Sequence, residues 1–145
     1  MTIPNHLQIA LKEVGQTEIS GIGHNPRILE YHKCTTLKAT SDECPWCSSF
    51  CNWVMQQARL PSTHSAAARS WLNYGVETQA PKQGDIVVLW RDDPKSFSGH
   101  VGFYMEQDQN SVSILGGNQS NKVCISKYPL NRVLSYRTWT TWTKT

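Results

Sequence analysis

Apolar positions in the first half of the chain recur at helical intervals, while in the second half they come in short runs broken by turn residues. In HLQIALKEV (6–14), Leu7, Ala10, Leu11 and Val14 share one helical face, and Gly15 supplies a stop. GIGHNPRILEYHKCT (21–35) follows, with Asn25 as N-cap, Pro26 at the first helical position and Ile28, Leu29 and Tyr31 for burial. A third helix is expected in CPWCSSFCNWVMQQARLP (44–61): Pro45 suits a first turn, Cys47, Cys51, Val54 and Ala58 form a stripe, and Pro61 closes it. THSAAARSWLNYG (63–75) predicts a fourth, shorter helix ending at Gly75.

After Pro81 the pattern changes to β-branched and aromatic runs. Strands are expected at DIVVLWR (85–91), HVGFYME (100–106), VSILG (112–116), KVCIS (122–126) and VLSYRTW (133–139). Connections this short favour hairpins and an antiparallel meander, because a parallel crossover needs a dozen or more residues. The expectation is an α+β fold in one domain, 1–145, with N-terminal helices (about 5–75) packed on a C-terminal antiparallel sheet of about five strands (about 82–140).

Length supports this reading, since 145 residues suffice for one self-sustaining core. Charge narrows the partners. The net charge of +3 comes from 14 basic against 11 acidic residues, with no Lys or Arg block, too dilute for a nucleic-acid footprint. No run approaches the length of a membrane span, so neither nucleic acid nor membrane insertion is expected. The start, MTIPNHLQIALKEVGQ, lacks the basic, apolar and small-residue regions of a secretory signal, and synthesis in a reducing cytoplasm is the corresponding expectation. Five cysteines cannot all pair within one chain, and most are read as thiols.

Three of those cysteines crowd into DECPWCSSFCNW (42–53). Cys44 and Cys47 make a C-x-x-C at a helix start, where the dipole favours a thiolate, but no strand of a βαβ unit precedes them as in a redox motif. A zinc site would have to draw on Cys34, Cys44, Cys47 and Cys51, with His24 or His32; three ligands then crowd one segment, and no metal or other cofactor is expected. The third reading needs one thiolate, a base and an orienting group from distant segments. The second half offers His100, after the small Gly99, and Asn118 in LGGNQS, with Gly116 and Gly117 allowing close approach.

Taken in order, PWCSSFCNW, ARSWLNYG, PKQGDIVVLW, GHVGFY and LGGNQSNKVCISKYP resemble the CHAP class, phage and bacterial cell-wall hydrolases of the papain-like, NlpC-type superfamily. With NPRILEYHK the likeness covers about residues 5–137. It implies a papain-like core that cleaves amide bonds of bacterial peptidoglycan as an endolysin-like monomer, reaching the wall through a permeabilised membrane. Carried over by position, Cys47 is the nucleophile, His100 the base and Asn118 the orienting residue; Trp46, Trp71, Gly99 and Gln119 are separate substrate-binding candidates, with plain core packing the alternative for the two tryptophans. Many members carry an acid two residues before that Asn; here the position is Gly116, and Asp85 is the alternative acid. A non-catalytic wall-binding module on the same fold, or a thiol-disulfide protein using Cys44 and Cys47, are the rival readings.

Other residues carry blander expectations. Cys51 and Cys124 are read as core, His6, His24, His32 and His64 as surface or capping residues, Asp92 and Asp93 as a solvated turn, and Trp139 and Trp142 as an edge anchor.

Overall fold

Three helices precede the sheet in the computed structural model, which describes residues 3–18, 25–35, 46–91, 93–95 and 99–138. They are α1 (Asn5–Lys12), α2 (Pro26–His32) and α3 (Cys47–Gln57). The cap of α2 is the expected one: Asn25 accepts from Arg27 N–H at 2.9 Å, with Pro26 at the first position. The first helix is shorter than its pattern, so Val14 lies outside it and is 48% exposed. Gly15, at φ 105°, turns the chain there, and its N–H bonds to Val123 O.

The segment expected to form a fourth α-helix is a 3-10 helix, Ala68–Asn73. Its side chains are pulled in opposite directions. Trp71 is fully buried and donates to Ser48 Oγ at 2.8 Å, while Arg69 reaches the carbonyls of Pro94 and Asp93 at 3.0 and 3.2 Å. Such fixed contacts on both sides favour the short, tight helix over a regular one.

Among the described residues the five expected strands and a short additional one, β1, follow: β1 (Val76–Glu77), β2 (Ile86–Trp90), β3 (Gly99–Gln107), β4 (Ser111–Gln119), β5 (Lys122–Pro129) and β6 (Val133–Thr138). The sheet is antiparallel with order β1-β6-β2-β3-β4-β5. The meander expected from sequence thus holds from β2 to β5. The last strand leaves it and pairs with β2 on the far side, which sets Tyr136 edge-on to Tyr104 with ring centroids 5.8 Å apart.

Strand alternation divides the core. Ile86, Val88, Val101, Phe103, Leu115 and Val123 pack with the helices around Leu7, Ile28, Tyr31, Phe50 and Val54. Val87, Leu89, Tyr104, Val112 and Ile114 form a second cluster with Tyr128, Leu130, Val133 and Tyr136. His6, read as a surface or capping residue, is buried instead: its Nε2–H donates to Gly84 O at 2.7 Å beside the Phe103 ring. Desolvation holds it below the usual histidine range, against the pull of that bond and of Asp85. Among the described residues no helix is long and apolar enough to cross a membrane.

Helix and sheet approach closely at Gly117. A Cβ there would lie 2.7 Å from the Trp46 ring and 2.8 Å from Phe50 Cβ, so α3 sits almost on the β4 backbone. Gly117→Ala is therefore expected to lower stability by about 1–3 kcal/mol, read as a lower urea midpoint with unchanged slope. A midpoint equal to the wild type would show that this contact is slack.

Candidate active site

Cys47 is the first residue of α3, so the chain delivers it where helical N–H groups lack intrahelical partners. Among the described residues Phe50 N–H is the first to bond back, to Trp46 O at 2.9 Å, and helix geometry places the amides of Cys47, Ser48 and Ser49 at the open end. Trp46 stands at the cap position, and its side chain makes no capping bond. Ser48 anchors the turn by donating to Ser65 O at 2.6 Å and accepting from Trp71. A helix start held this way presents positive dipole and spare donors to an anion at Cys47.

Opposite it stands His100, the second residue of β3 and 1% exposed. Its Nε2 faces Gln119 Oε1 at 2.9 Å. The Gln119 amide cannot be reversed, because its nitrogen donates to two carbonyls, Ile114 O at 3.2 Å and Cys124 O at 2.7 Å. An oxygen therefore points at His100, and the imidazole must carry its proton on Nε2. That leaves Nδ1, which has no hydrogen-bond partner among the described residues, as the ring nitrogen available to the Cys47 thiol, which His100 pulls toward its charged form.

Electrostatics follows from that pairing. Burial alone would push the Cys47 thiol up, yet His100, the Val101 N–H and the Arg91 guanidinium outweigh it, and the net direction is down. Cys51, one turn on, is the contrast. It is fully buried, and desolvation together with the Cys47 charge drives its thiol well above the ordinary range. Of these two cysteines only Cys47 has its thiol shifted toward the charged form; Cys51 is fully buried packing.

The orienting contact is a correction to the sequence reading. Simple alternation along β4 would aim residues 112, 114, 116 and 118 at the same face, and so Asn118 at His100. Instead the register slips between Gly116 and Gln119, Asn118 takes φ 56°, and Gln119 inherits the face. Gly116 makes room for it, since a Cβ there would lie 2.8 Å from Gln119 Oε1 and 3.5 Å from His100 Nε2. Gln119, 3% exposed, is thus a partner of His100 and not a substrate-binding surface.

The aromatic candidates are corrected by burial. Trp46 and Trp71 are both 0% exposed, with Nε1 donating to Glu18 at 2.6 Å and to Ser48 at 2.8 Å. Neither ring is exposed; they pack against α3 and hold its start. At Gly99 the missing side chain serves packing too, for a Cβ would meet Leu89 O at 2.9 Å and Arg69 Cγ at 3.3 Å. Asp85, the alternative acid, lies before β2, while Leu89 near its other end pairs with His100. Asp85 accepts from Lys82 N–H at 2.9 Å and fixes that turn.

Residues with unobtrusive sequence signals complete the surroundings. Tyr128, from β5, brings its hydroxyl to 3.3 Å from His100 Nε2. Cys124 is half-buried on the same strand, its thiol donating to Gln119 O at 3.5 Å, so it is not the core residue its strand suggested. Among the histidines, His32 is buried against Ser49, and His64 is exposed on a loop at φ 58°. Cys44, His24, Asp92, Trp139 and Trp142 lie outside the described residues. Among the described residues no three His, Cys, Asp or Glu side chains gather as a metal site, and Cys34, Cys47, Cys51 and Cys124 are free thiols.

Comparison with known proteins bears on this geometry. The model of one protein family, the CHAP domain, matches residues 39–118, more than half of the chain and a stretch containing Cys47 and His100. No curated protein matches.

Proposed function

The chain belongs to the CHAP domain family, and from that premise we propose that it is a cysteine-dependent hydrolase cleaving an amide bond of bacterial peptidoglycan, as an endolysin-like amidase or endopeptidase. Family membership supports the peptidoglycan hydrolase class. The observation that carries the cysteine mechanism is the Cys47 thiol held down by His100 at a helix start, with Gln119 fixing the ring from behind.

Each step uses groups already in place. The Cys47 thiolate attacks the carbonyl carbon, and the α3 amides take the negative charge that moves onto the oxygen. His100 gives its Nδ1 proton to the nitrogen as the C–N bond breaks, releasing the amine and leaving a thioester. Nδ1 then accepts a proton from water as the hydroxide portion attacks the thioester; the C–S bond breaks, the acid departs and the thiolate returns. Gln119 remains a neutral acceptor throughout, so it orients the imidazole without taking its proton.

In this reading residues 1–145 form one catalytic domain, acting as a monomer and reaching the wall from the cytoplasm through a permeabilised membrane. Digestion of purified peptidoglycan followed by mass spectrometry of the soluble muropeptides tests the activity. The expected result is one new class of N-terminus, which also identifies the bond, whether muramoyl to L-alanine, within the stem or at the cross-bridge. Binding to the wall with no new terminus would instead make the protein a binding module.

A further inference from the structure

We propose that Tyr128, clamped by Arg132, is a second positioning residue for the imidazole of His100, acting with Gln119 in place of a carboxylate. The inference rests on the cysteine mechanism above. Its starting point is a run of planar groups that ends on the catalytic ring. The Arg132 guanidinium lies over both the Trp90 and Tyr128 rings, 5.6 Å from each centroid, and the Tyr128 ring lies 5.2 Å from His100 at an interplanar angle of 35°.

This run is anchored at both ends. Arg132 donates through Nε and Nη2 to Trp90 O at 3.1 and 2.9 Å, and Trp90 Nε1 donates to Asn131 O at 3.1 Å. The 3-10 turn Leu130–Arg132 is thereby tied to β2, and Tyr128, two residues before it on β5, is held between a cation and the imidazole. A Tyr ring fixed on one face by a guanidinium cannot swing away from His100 without breaking that contact.

The hydroxyl then has a defined part. Because Gln119 fixes the proton on Nε2, the Tyr128 oxygen meets an N–H and accepts, at 3.3 Å, as the weaker partner beside the 2.9 Å contact of Gln119. Two neutral oxygens therefore share one N–H on the side where the Gly116 position holds no acid. Burial, with the charges that Cys124 and Cys47 can carry, pushes the Tyr128 phenol up to about 12 against Arg132 and Arg91, so it stays a neutral hydroxyl during turnover. When the thiolate forms, the ring becomes imidazolium and its Nε2–H bonds strengthen. Tyr128 thus favours the charged pair over the neutral one, which a packing residue would not do.

The test compares Tyr128→Phe, which keeps the stack and removes the oxygen, with Tyr128→Leu, which removes both. For Tyr128→Phe, kcat on soluble peptidoglycan fragments is expected to fall ~3- to 10-fold with KM within about twofold. Alkylation of Cys47 by iodoacetamide at neutral pH, followed by peptide mapping, should slow by a similar factor. That second readout needs no substrate, so it separates failure of this inference from failure of the proposed activity. Arg132→Gln provides an independent arm: losing the clamp should reduce both rates in the same direction with the Tyr hydroxyl still present. The proposal is overturned if Tyr128→Phe alkylates and turns over at wild-type rates while only Tyr128→Leu loses activity in step with its stability, for that is the behaviour of packing alone.

Discussion

A Cys47→Ser variant is expected to release soluble material from purified peptidoglycan at least ~10³-fold more slowly than the wild type. The substitution exchanges one atom in a buried position, so the fold should persist within about 1 kcal/mol. What is lost is the ionised nucleophile. The thiol is held down by His100, Val101 and Arg91 despite its burial; an alcohol in the same place stays protonated at any pH the protein survives. Cys47 alkylation gives the pH counterpart. Because the folded value is depressed, the thiolate should persist below the ordinary thiol range and disappear only as the pH falls through the depressed value. Its contribution to stability follows the same course, present above the ordinary thiol value and lost through the depressed one. Wild-type turnover by Cys47→Ser would remove the catalytic assignment, and Cys44, the other half of the C-x-x-C, would be the next residue to replace.

The second large effect is expected at Gln119. Gln119→Ala leaves His100 Nε2–H without its 2.9 Å acceptor and frees the ring to rotate, so kcat should fall by roughly 10²-fold with little change in KM. Some stability goes with it, about 1–2 kcal/mol, since the amide also satisfies Ile114 O and Cys124 O. The control is Asn118→Gly, which preserves the positive φ of that position and removes only the side chain. Its rate should stay within about threefold of the wild type. Opposite results, with Asn118→Gly crippled and Gln119→Ala active, would restore Asn118 to the orienting role.

That reversal of neighbouring residues shows where sequence is sufficient and where it is not. Periodicity and caps located α2 and α3 because those signals are local: Asn25 and Pro26 act on the adjacent turn, and the Cys47 stripe needs only a helix to bury it. Cys47 and His100 were legible because a thiol at a helix start and a histidine opening a strand are each tied to a local element. The orienting residue was not, because it depends on a register shift. Ser120 and Asn121 both adopt positive φ, at 53° and 64°, in the turn joining β4 to β5, and Asn118 adds a third just before it. Two asparagines, Asn118 and Asn121, a residue type tolerant of that conformation, in GGNQSN, were the available sign that alternation would fail there.

Tertiary contacts account for the other differences. His6 is buried because Gly84 O, 78 positions away, needs a donor, and Trp46 is removed from the cleft because Glu18 accepts its indole N–H. The return of β6 to β2 is likewise invisible in strand spacing. There Arg132, just before β6, donates to Trp90 O at the end of β2, a contact 42 residues long in sequence.

The empty side-chain position at Gly116 ties two sites into one choice. The volume that an acid would occupy there is the volume through which Gln119 reaches His100, so either residue can serve the histidine but both cannot fit. A chain that acquired Glu at 116 alone would lose its existing partner before gaining the new one. Exchange between the two solutions has to pass through a shortened residue at 119, so 116 and 119 are expected to vary jointly, while position 118 is restricted by its positive φ and not by His100.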